Sequence, residues 1–192
     1  MEMKIMSAFS AVVSLSLTLG LSACGSSPSA SLTPDQFGAK YKFSATDIPG
    51  WAQDPTDPGA YWTGTDLVGG GNMDGAAGAY TDKGFVQGMY QSLVGPDPQI
   101  ATVWAMDFGT ASNAQSMFNW KVNDQSASIA IPSYDASTAL GASIATGLNV
   151  FAWDKASYFE LALQGLGQST SSNCTECQVA KQFLDVLKSK TN

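Results

Sequence analysis

The clearest hydrophobic pattern in the chain is an alternation of side chains between residues 85 and 108. In residues 85–94 the odd-numbered positions fall on one face of a strand and the even-numbered positions on the other, and neither face is wholly polar. Residues 95–98 read Gly-Pro-Asp-Pro, which favours a turn and interrupts strand pairing. Residues 100–108 are extended again, with Trp104, Met106 and Phe108 on one face. The two segments therefore predict a β-hairpin.

A helix is predicted directly after this hairpin. Gly109 ends the second strand, and Thr110 or Ser112 is a suitable N-cap for a helix that reaches about Trp120. We expect this helix to lie across the sheet, because its apolar positions recur at helical spacing. Those positions, with the lysine that follows them, are Ala111, Ala114, Met117, Phe118 and Lys121.

The stretch before the hairpin contains weaker signals. Residues 41–45 predict a short strand, and the Pro-Gly turn at residues 49–50 is expected to fold Trp51 back onto the core. Residues 75–79 are all glycine or alanine, so a short helix or turn can pack close to the sheet there, with Tyr80 as its anchor.

The second half of the chain predicts more sheet and a final helix. Short strands are expected at 128–131 and 142–145, and a second hairpin at 149–163 should extend the first sheet. An apolar stripe from Val179 to Leu187 predicts a C-terminal helix over about 174–189. The fold class predicted is therefore α+β: a mostly antiparallel β-sheet with helices packed on one face, ending in a C-terminal helix.

The N-terminus is typical of an export signal. Lys4 precedes an apolar run that is too short for an ordinary membrane span, and the run ends at Leu21-Ser22-Ala23-Cys24-Gly25. This ending resembles the lipobox of bacterial lipoproteins, in which the cysteine is acylated and becomes the first residue of the mature chain. A plain secretory signal or an N-terminal membrane anchor is the alternative. The resulting organisation is a lipoprotein signal peptide at 1–23, a flexible tether at 24–33 and a single α+β domain at 34–192.

Composition restricts the chemistry that the chain can support. The protein has no histidine, its nine basic residues are all lysine, and its net charge is −7. It therefore lacks the usual base of a Ser-His or Cys-His pair, the commonest nitrogen ligand for zinc or copper, and the arginine fork that binds phosphate. We expect no catalytic residue, cofactor or metal, although an enzyme that uses carboxylates, lysine or a thiol is not excluded. Nucleic acid is not an expected partner of such an acidic chain.

Two loop motifs invite a ligand interpretation that we do not favour. Gly69-Gly70-Gly71 lacks the Gly-Lys-Ser/Thr ending of a P-loop and the strand-to-helix context of a dinucleotide fingerprint, so close packing explains it better than phosphate binding. A group of oxygen-bearing residues makes a calcium site conceivable, but its spacing does not match an EF-hand loop, and turn formation is favoured. That group consists of Asp54, Asp57, Asp66, Asn72 and Asp74.

Cys174 and Cys177 form the only constellation that could carry reactivity. A Cys-x-x-Cys at the start of a helix favours a thiolate on its first sulfur, which suits thiol-disulfide exchange. The motif opens the last helix, however, instead of following the first strand of a βαβ unit, and an oxidising compartment favours pairing. We therefore predict a Cys174–Cys177 disulfide that acts as a local staple.

Several motifs together resemble a family of exported bacterial proteins of unknown function. The resemblance spans about residues 48–187 and implies a small exported α+β domain, without an established activity. The motifs are Pro49-Gly50-Trp51, Asp74-Gly75-Ala76-Ala77-Gly78-Ala79-Tyr80, Lys83-Gly84-Phe85, and Met106-Asp107-Phe108 followed by Ala111 and by Ala114 to Phe118.

These observations predict a lipid-anchored protein of the bacterial cell envelope with a non-catalytic binding or interaction domain. Its partners would be the bilayer, through acylated Cys24, and an unknown protein or small apolar ligand. An aromatic patch around Trp62, Tyr80 and Trp120 is the expected contact surface. The domain would face the periplasm or the outside of the cell. The absence of aspartate after Cys24 favours the outer membrane, if the organism has one. The alternative function is thiol-disulfide exchange through Cys174 and Cys177.

Overall fold

A computed structural model describes residues 32–63, 77–166 and 174–192, and Leu32–Asn192 belongs to one compact unit. Its helices are α1 (Pro34–Tyr41), α2 (Ala77–Asp82), α3 (Ala111–Asp124) and α4 (Thr175–Ser189). Its strands are β1 (Ala52–Gln53), β2 (Ala60–Thr63), β3 (Gln87–Val94), β4 (Ile100–Asp107), β5 (Ile129–Ala130), β6 (Ala139–Ile144), β7 (Gly147–Asp154) and β8 (Ser157–Gln164).

The eight strands form one sheet in the order β1-β3-β4-β8-β7-β6-β5, with β2 also pairing to β3. Every pairing between described strands is antiparallel. The hairpin predicted around the Gly-Pro-Asp-Pro turn is β3–β4, and the second predicted hairpin is β7–β8. Because β8 pairs with β4, the second hairpin does extend the first sheet, as the sequence predicted.

The strand predicted at residues 41–45 is absent, because residue 41 ends helix α1 and residues 42–45 continue as a loop. Thr33 caps this helix in a capping box with Gln36, and Pro34 occupies its first turn, where its fixed φ suits a helix. Tyr41 is its last residue and Phe43 lies in the loop beyond, and both side chains are buried. The strand prediction was wrong because an aromatic residue at every second position also fits a helix end followed by an extended loop.

Helices cover both faces of the sheet. The α+β class, the mostly antiparallel sheet and the C-terminal helix are confirmed, whereas the helices do not share the single face that was expected. Helices α1 and α4 pack in one core cluster with Val103, Val150 and Phe159, and α3 packs in a second cluster with Met106 and Phe151. Both faces need cover because the central strands β4, β7 and β8 carry apolar side chains on each side.

Helix α4 contributes the largest helical share of the first cluster. Ala180, Phe183, Leu184 and Leu187 are fully buried along one stripe, as the spacing predicted. The Phe183 ring lies 5.1 Å from the Trp51 ring, centre to centre, so the turn at residues 49–50 does return that tryptophan to the core. None of the described helices is long and apolar enough to span a bilayer.

Candidate functional site

The register of the sheet aligns a row of large side chains near the end of α3. Trp104 of β4 lies opposite Glu160 of β8, which in turn lies opposite Phe151 of β7. Tyr90 and Leu140 continue this row on β3 and β6. Helix α3 packs over β7 and β8, and it ends at Asp124.

The next row on the same face has small or short polar side chains. It contains Thr102, Ala162, Asn149 and Ala142, which are paired in register across four strands. The step from large to small side chains leaves a cleft of 420 Å³ between the last turns of α3 and the sheet. Its lining residues are Tyr80, Trp104, Trp120, Lys121, Asp124, Gln125, Ile144, Asn149, Phe151, Glu160, Leu161, Ala162 and Gln164.

A cluster of charged and phenolic groups lies at the inner side of the cleft, with Tyr80, Lys121 and Glu160 in its lining and Tyr158 buried behind them. Lys121 Nζ of α3 lies 3.6 Å from Glu160 Oε2 of β8, and both side chains are about 15% exposed. The hydroxyls of Tyr80 and Tyr158 donate to Glu160 Oε1, the latter at 3.2 Å, and Lys121 Nζ donates to the Tyr80 hydroxyl at 3.3 Å. We call these four residues the Lys121–Glu160 cluster. It connects α2, α3 and β8, and it satisfies two charges that would be costly to leave unpaired in a half-buried site.

Burial and charge affect the phenol of Tyr158 strongly. Its side chain is fully buried, and this burial, together with the negative charge of Glu160, raises its pKa well above 10.0. Tyr158 therefore stays protonated at neutral pH and acts as a hydrogen-bond donor to Glu160 rather than as a base.

Aromatic rings surround the lysine ammonium. Lys121 Nζ lies 5.7 Å from the centre of the Tyr80 ring and 5.9 Å from the rings of Trp120 and Phe151. Lys83 Nζ lies 5.2 Å from the Trp120 ring. These distances are typical of cation–π contacts, so the protein's own lysines already occupy much of the electronegative surface of these rings.

Two amides at the floor and far edge of the cleft have their hydrogen-bonding capacity available. Within the described residues, the side chains of Asn149 and Gln164 make no hydrogen bond to the protein. Asn149 is half-buried and Gln164 is exposed. No Ser, Thr or Cys is among the described residues that line the cleft, and no cluster of metal-ligating side chains occurs in the parts of the chain that the structure describes. The arrangement is suited to holding a molecule by aromatic surface and hydrogen bonds.

The predicted aromatic patch is partly brought together. Tyr80 and Trp120 both line the cleft, and their rings lie 6.4 Å apart. Trp62 is only 4% exposed and belongs to the core cluster beneath α3 instead. Sequence reasoning missed Lys121, Glu160 and Asn149 as site residues. The available signal was a glutamate and an asparagine in otherwise apolar strands, where these types are uncommon.

The remaining predicted sites are distributed as follows. Cys174 and Cys177 form a disulfide at the start of α4, with Cys177 fully buried and Cys174 half-buried.

Asp54 accepts hydrogen bonds from Thr56, which hold the pKa of that carboxyl below its usual value. Asp57 accepts from Gly59 N within its own loop and from the Tyr90 hydroxyl of β3, so both aspartates have protein partners. Seven residues singled out in the sequence lie outside the described part of the chain: Cys24, Asp66, Gly69, Gly70, Gly71, Asn72 and Asp74.

Comparison with known proteins yields one distant structural similarity. No protein-family model matches the chain, and no curated protein matches it in sequence. The structure is similar to the extracellular domain of PknH from Mycobacterium tuberculosis, with a TM-score of 0.49 and 8% sequence identity. The match covers 83% of this chain and 97% of that domain. A similarity this distant transfers neither a ligand nor an activity.

Proposed function

We propose that this chain is an exported lipoprotein whose folded domain binds a small ligand in the cleft beside α3. The cleft itself is the observation that carries the binding proposal. Its volume of 420 Å³ lies within the range of roughly 300–1,000 Å³ that is usual for small-molecule sites. The ligand would need polar as well as apolar groups, because charged and amide side chains line the cleft together with tryptophans.

The state of the tryptophans supports this location. Trp51 and Trp62 are buried in the two core clusters, at 5% and 4% exposed. Trp104, Trp120 and Trp153 are half-buried; the first two line the cleft, whereas Trp153 lies outside it and donates its indole N–H to Ser137 O. Aromatic surface that remains exposed inside a concave site is favourable to cover with a ligand.

Binding without catalysis accounts for the chemistry of the lining. Lys121 Nζ is already engaged by Glu160 Oε2 and the Tyr80 hydroxyl and lies against aromatic rings, so its position is that of a structural partner rather than of a nucleophile. The usual nucleophiles Ser, Thr and Cys are also missing from the described lining residues. The domain therefore acts, in this proposal, by holding its ligand.

The membrane attachment rests on the sequence alone. Leu21-Ser22-Ala23 followed by Cys24 supports acylation of that cysteine, and the motifs between residues 48 and 187 support membership of a family of exported proteins. The domain would then operate at a bacterial membrane surface, in the periplasm or outside the cell. The residue after Cys24 favours the outer membrane in an organism that has one.

The test uses the five tryptophan indoles as reporters. The mature chain, residues 24–192 with Cys24→Ser to prevent acylation, is labelled with ¹⁵N and screened against a fragment library. Ligands should shift the indole N–H signals of Trp104 and Trp120 and leave those of Trp51 and Trp62 unchanged. Single Trp→Phe variants assign the five signals. Hits that move only the core indoles, or a library without any hit in the cleft, would contradict the proposal.

A further inference from the structure

The polar groups on the cleft floor carry information about the ligand. Asn149 sits in the middle of β7, between Ala142 on β6 and Ala162 on β8. Asparagine is depleted in strands because its side chain contributes little to packing there. An unpaired amide flanked by two alanines can both donate and accept hydrogen bonds toward the cleft, and Gln164 adds a second such amide at its edge.

The charge of the lining argues against an anionic ligand. Lys121 is the only basic residue among the described lining residues, and Glu160 already neutralises it at 3.6 Å. Asp124 adds another negative charge, and the whole chain carries −7. A carboxylate or phosphate in the cleft would therefore be repelled by Asp124, and no second lysine is among the described lining residues to offset that charge.

A cationic ligand is disfavoured for a different reason. The ring faces that would attract it are those of Tyr80, Trp120 and Phe151, and Lys121 Nζ lies within 5.9 Å of all three ring centres. A second cation would have to displace that ammonium from the rings, so their faces are not available to bind one.

From these observations we propose that the ligand is a neutral saccharide. This inference rests on the proposed binding function and specifies its ligand. A pyranose ring has an apolar C–H face, which can stack on Trp104 or Trp120, and a rim of hydroxyls, which both donate and accept hydrogen bonds. The side-chain amides of Asn149 and Gln164 and the carboxylate of Asp124 supply the matching partners. A cleft of 420 Å³ is suited to a mono- or disaccharide.

The decisive experiment compares sugars that share one ring and differ in charge. The ¹⁵N-labelled mature chain is titrated with a panel of neutral mono- and disaccharides that includes N-acetylglucosamine, and with glucuronate and protonated glucosamine. At least one neutral sugar should shift the Trp104 and Trp120 indoles with a Kd tighter than about 10 mM. Glucuronate and glucosamine should bind about tenfold more weakly than the best neutral sugar, or not at all.

Matched variants test the role of the amides. In the double variant Asn149→Ala, Gln164→Ala, affinity for the best sugar should fall about tenfold, because two sets of hydrogen bonds are lost. The control is Asn119→Ala, Gln182→Ala. It removes one asparagine and one glutamine amide from exposed helix positions outside the cleft, and it should leave the affinity for the sugar unchanged. Unchanged indole and amide spectra in the absence of sugar verify that both double variants are folded.

Three results would overturn the proposal. If no neutral sugar binds while fragments still shift the indole signals of Trp104 and Trp120, the saccharide inference fails and the proposed small-ligand function stands. If neither sugars nor fragments bind in the cleft, both the saccharide inference and the small-ligand function fail. Tighter binding of glucuronate or glucosamine would refute the argument from charge. Equal affinities of the two double variants would refute the role of Asn149 and Gln164.

Discussion

At the scale of single residues, buried hydroxyl groups supply much of the polarity in this core. The Tyr41 hydroxyl and Ser157 Oγ are hydrogen-bonded at 2.8 Å between α1 and the sheet, and the Tyr41 side chain is 1% exposed. Burial raises the pKa of this phenol to about 12, and the nearby charges of Asp107 and Asp154 act in the same direction. Ionisation of Tyr41 therefore opposes folding.

The stability of the domain should consequently fall at alkaline pH. The contribution of Tyr41 is complete below pH 10, where the phenol is protonated in both states, and is lost as the pH rises from there through about 12. The expected loss from this residue is about 2–3 kcal/mol in the free energy of unfolding. Urea unfolding at several pH values between 8 and 12, marked by tryptophan fluorescence, measures it.

Tyr41→Phe separates this effect from the titration of the lysines. The variant should lose about 1 kcal/mol at pH 8, since Ser157 loses its partner, and its stability should then depend less steeply on pH than that of the parent. Identical pH dependences in the two proteins would show that Tyr41 does not resist ionisation.

At the scale of elements, the beginning of α4 is held in two ways. Cys174 is the N-cap residue, and its Sγ accepts a hydrogen bond from Cys177 N at 2.9 Å. The disulfide to Cys177 spans the same first turn, and Cys177 packs in the core cluster with Phe183 and Ala180. The disulfide therefore fixes the N-terminal end of α4.

Reduction of this disulfide should destabilise the domain modestly without removing α4. The loop it closes is very short, so the expected loss is about 2 kcal/mol in the free energy of unfolding. Denaturant unfolding with and without a strong reductant measures the loss, and far-ultraviolet circular dichroism should show unchanged helix content. In the control variant Cys174→Ala, Cys177→Ala, the reductant should have no effect.

The parent protein and this variant together distinguish a structural disulfide from a site of thiol-disulfide exchange. A staple should stay oxidised in a glutathione buffer of moderately reducing potential. A pair that equilibrates readily there, with exchange activity that the double alanine variant lacks, would make thiol-disulfide exchange the leading function.

At the scale of the whole molecule, the proposed binding domain and the proposed site of attachment are separate segments of the chain. The first described helix, α1, has its cap at Thr33, nine residues after Cys24. The intervening residues are small and polar, a composition that favours a flexible spacer. The proposed anchor, Cys24, therefore precedes the first described helix in the sequence.

Cys24→Ser should release the protein from the membrane. In the parent, we expect incorporation of labelled palmitate and recovery in the detergent phase. The variant should lose the label and appear in the aqueous phase with an unchanged melting temperature. Cys174→Ser is the matched control and should remain acylated. A Cys24→Ser protein that stays membrane-bound would point to an uncleaved N-terminal anchor instead.

Local patterns in the sequence were sufficient for most of the elements. Alternation around the Gly-Pro-Asp-Pro turn predicted β3–β4, apolar spacing predicted α3 and α4, and the Cys-x-x-Cys pair predicted its disulfide site. Such features depend on residues that are neighbours along the chain, so their physics is visible in the sequence. The exceptions were α1, where two aromatic residues fit a strand and a helix end equally well, and the short strands β1 and β2, which the sequence did not predict.

Tertiary structure alone decided the layering and the cleft. Alternation assigns side chains to two faces, but when both faces are apolar it does not say which helix covers which. The pairing of β8 with β4 brings Glu160 beside Trp104, and α2 and α3 then bring Tyr80 and Lys121 to the same carboxylate. Asn149 reaches the cleft floor only because its register places it between two alanines. These contacts join residues far apart in sequence, and they depend on strand order and register, which no local pattern specifies.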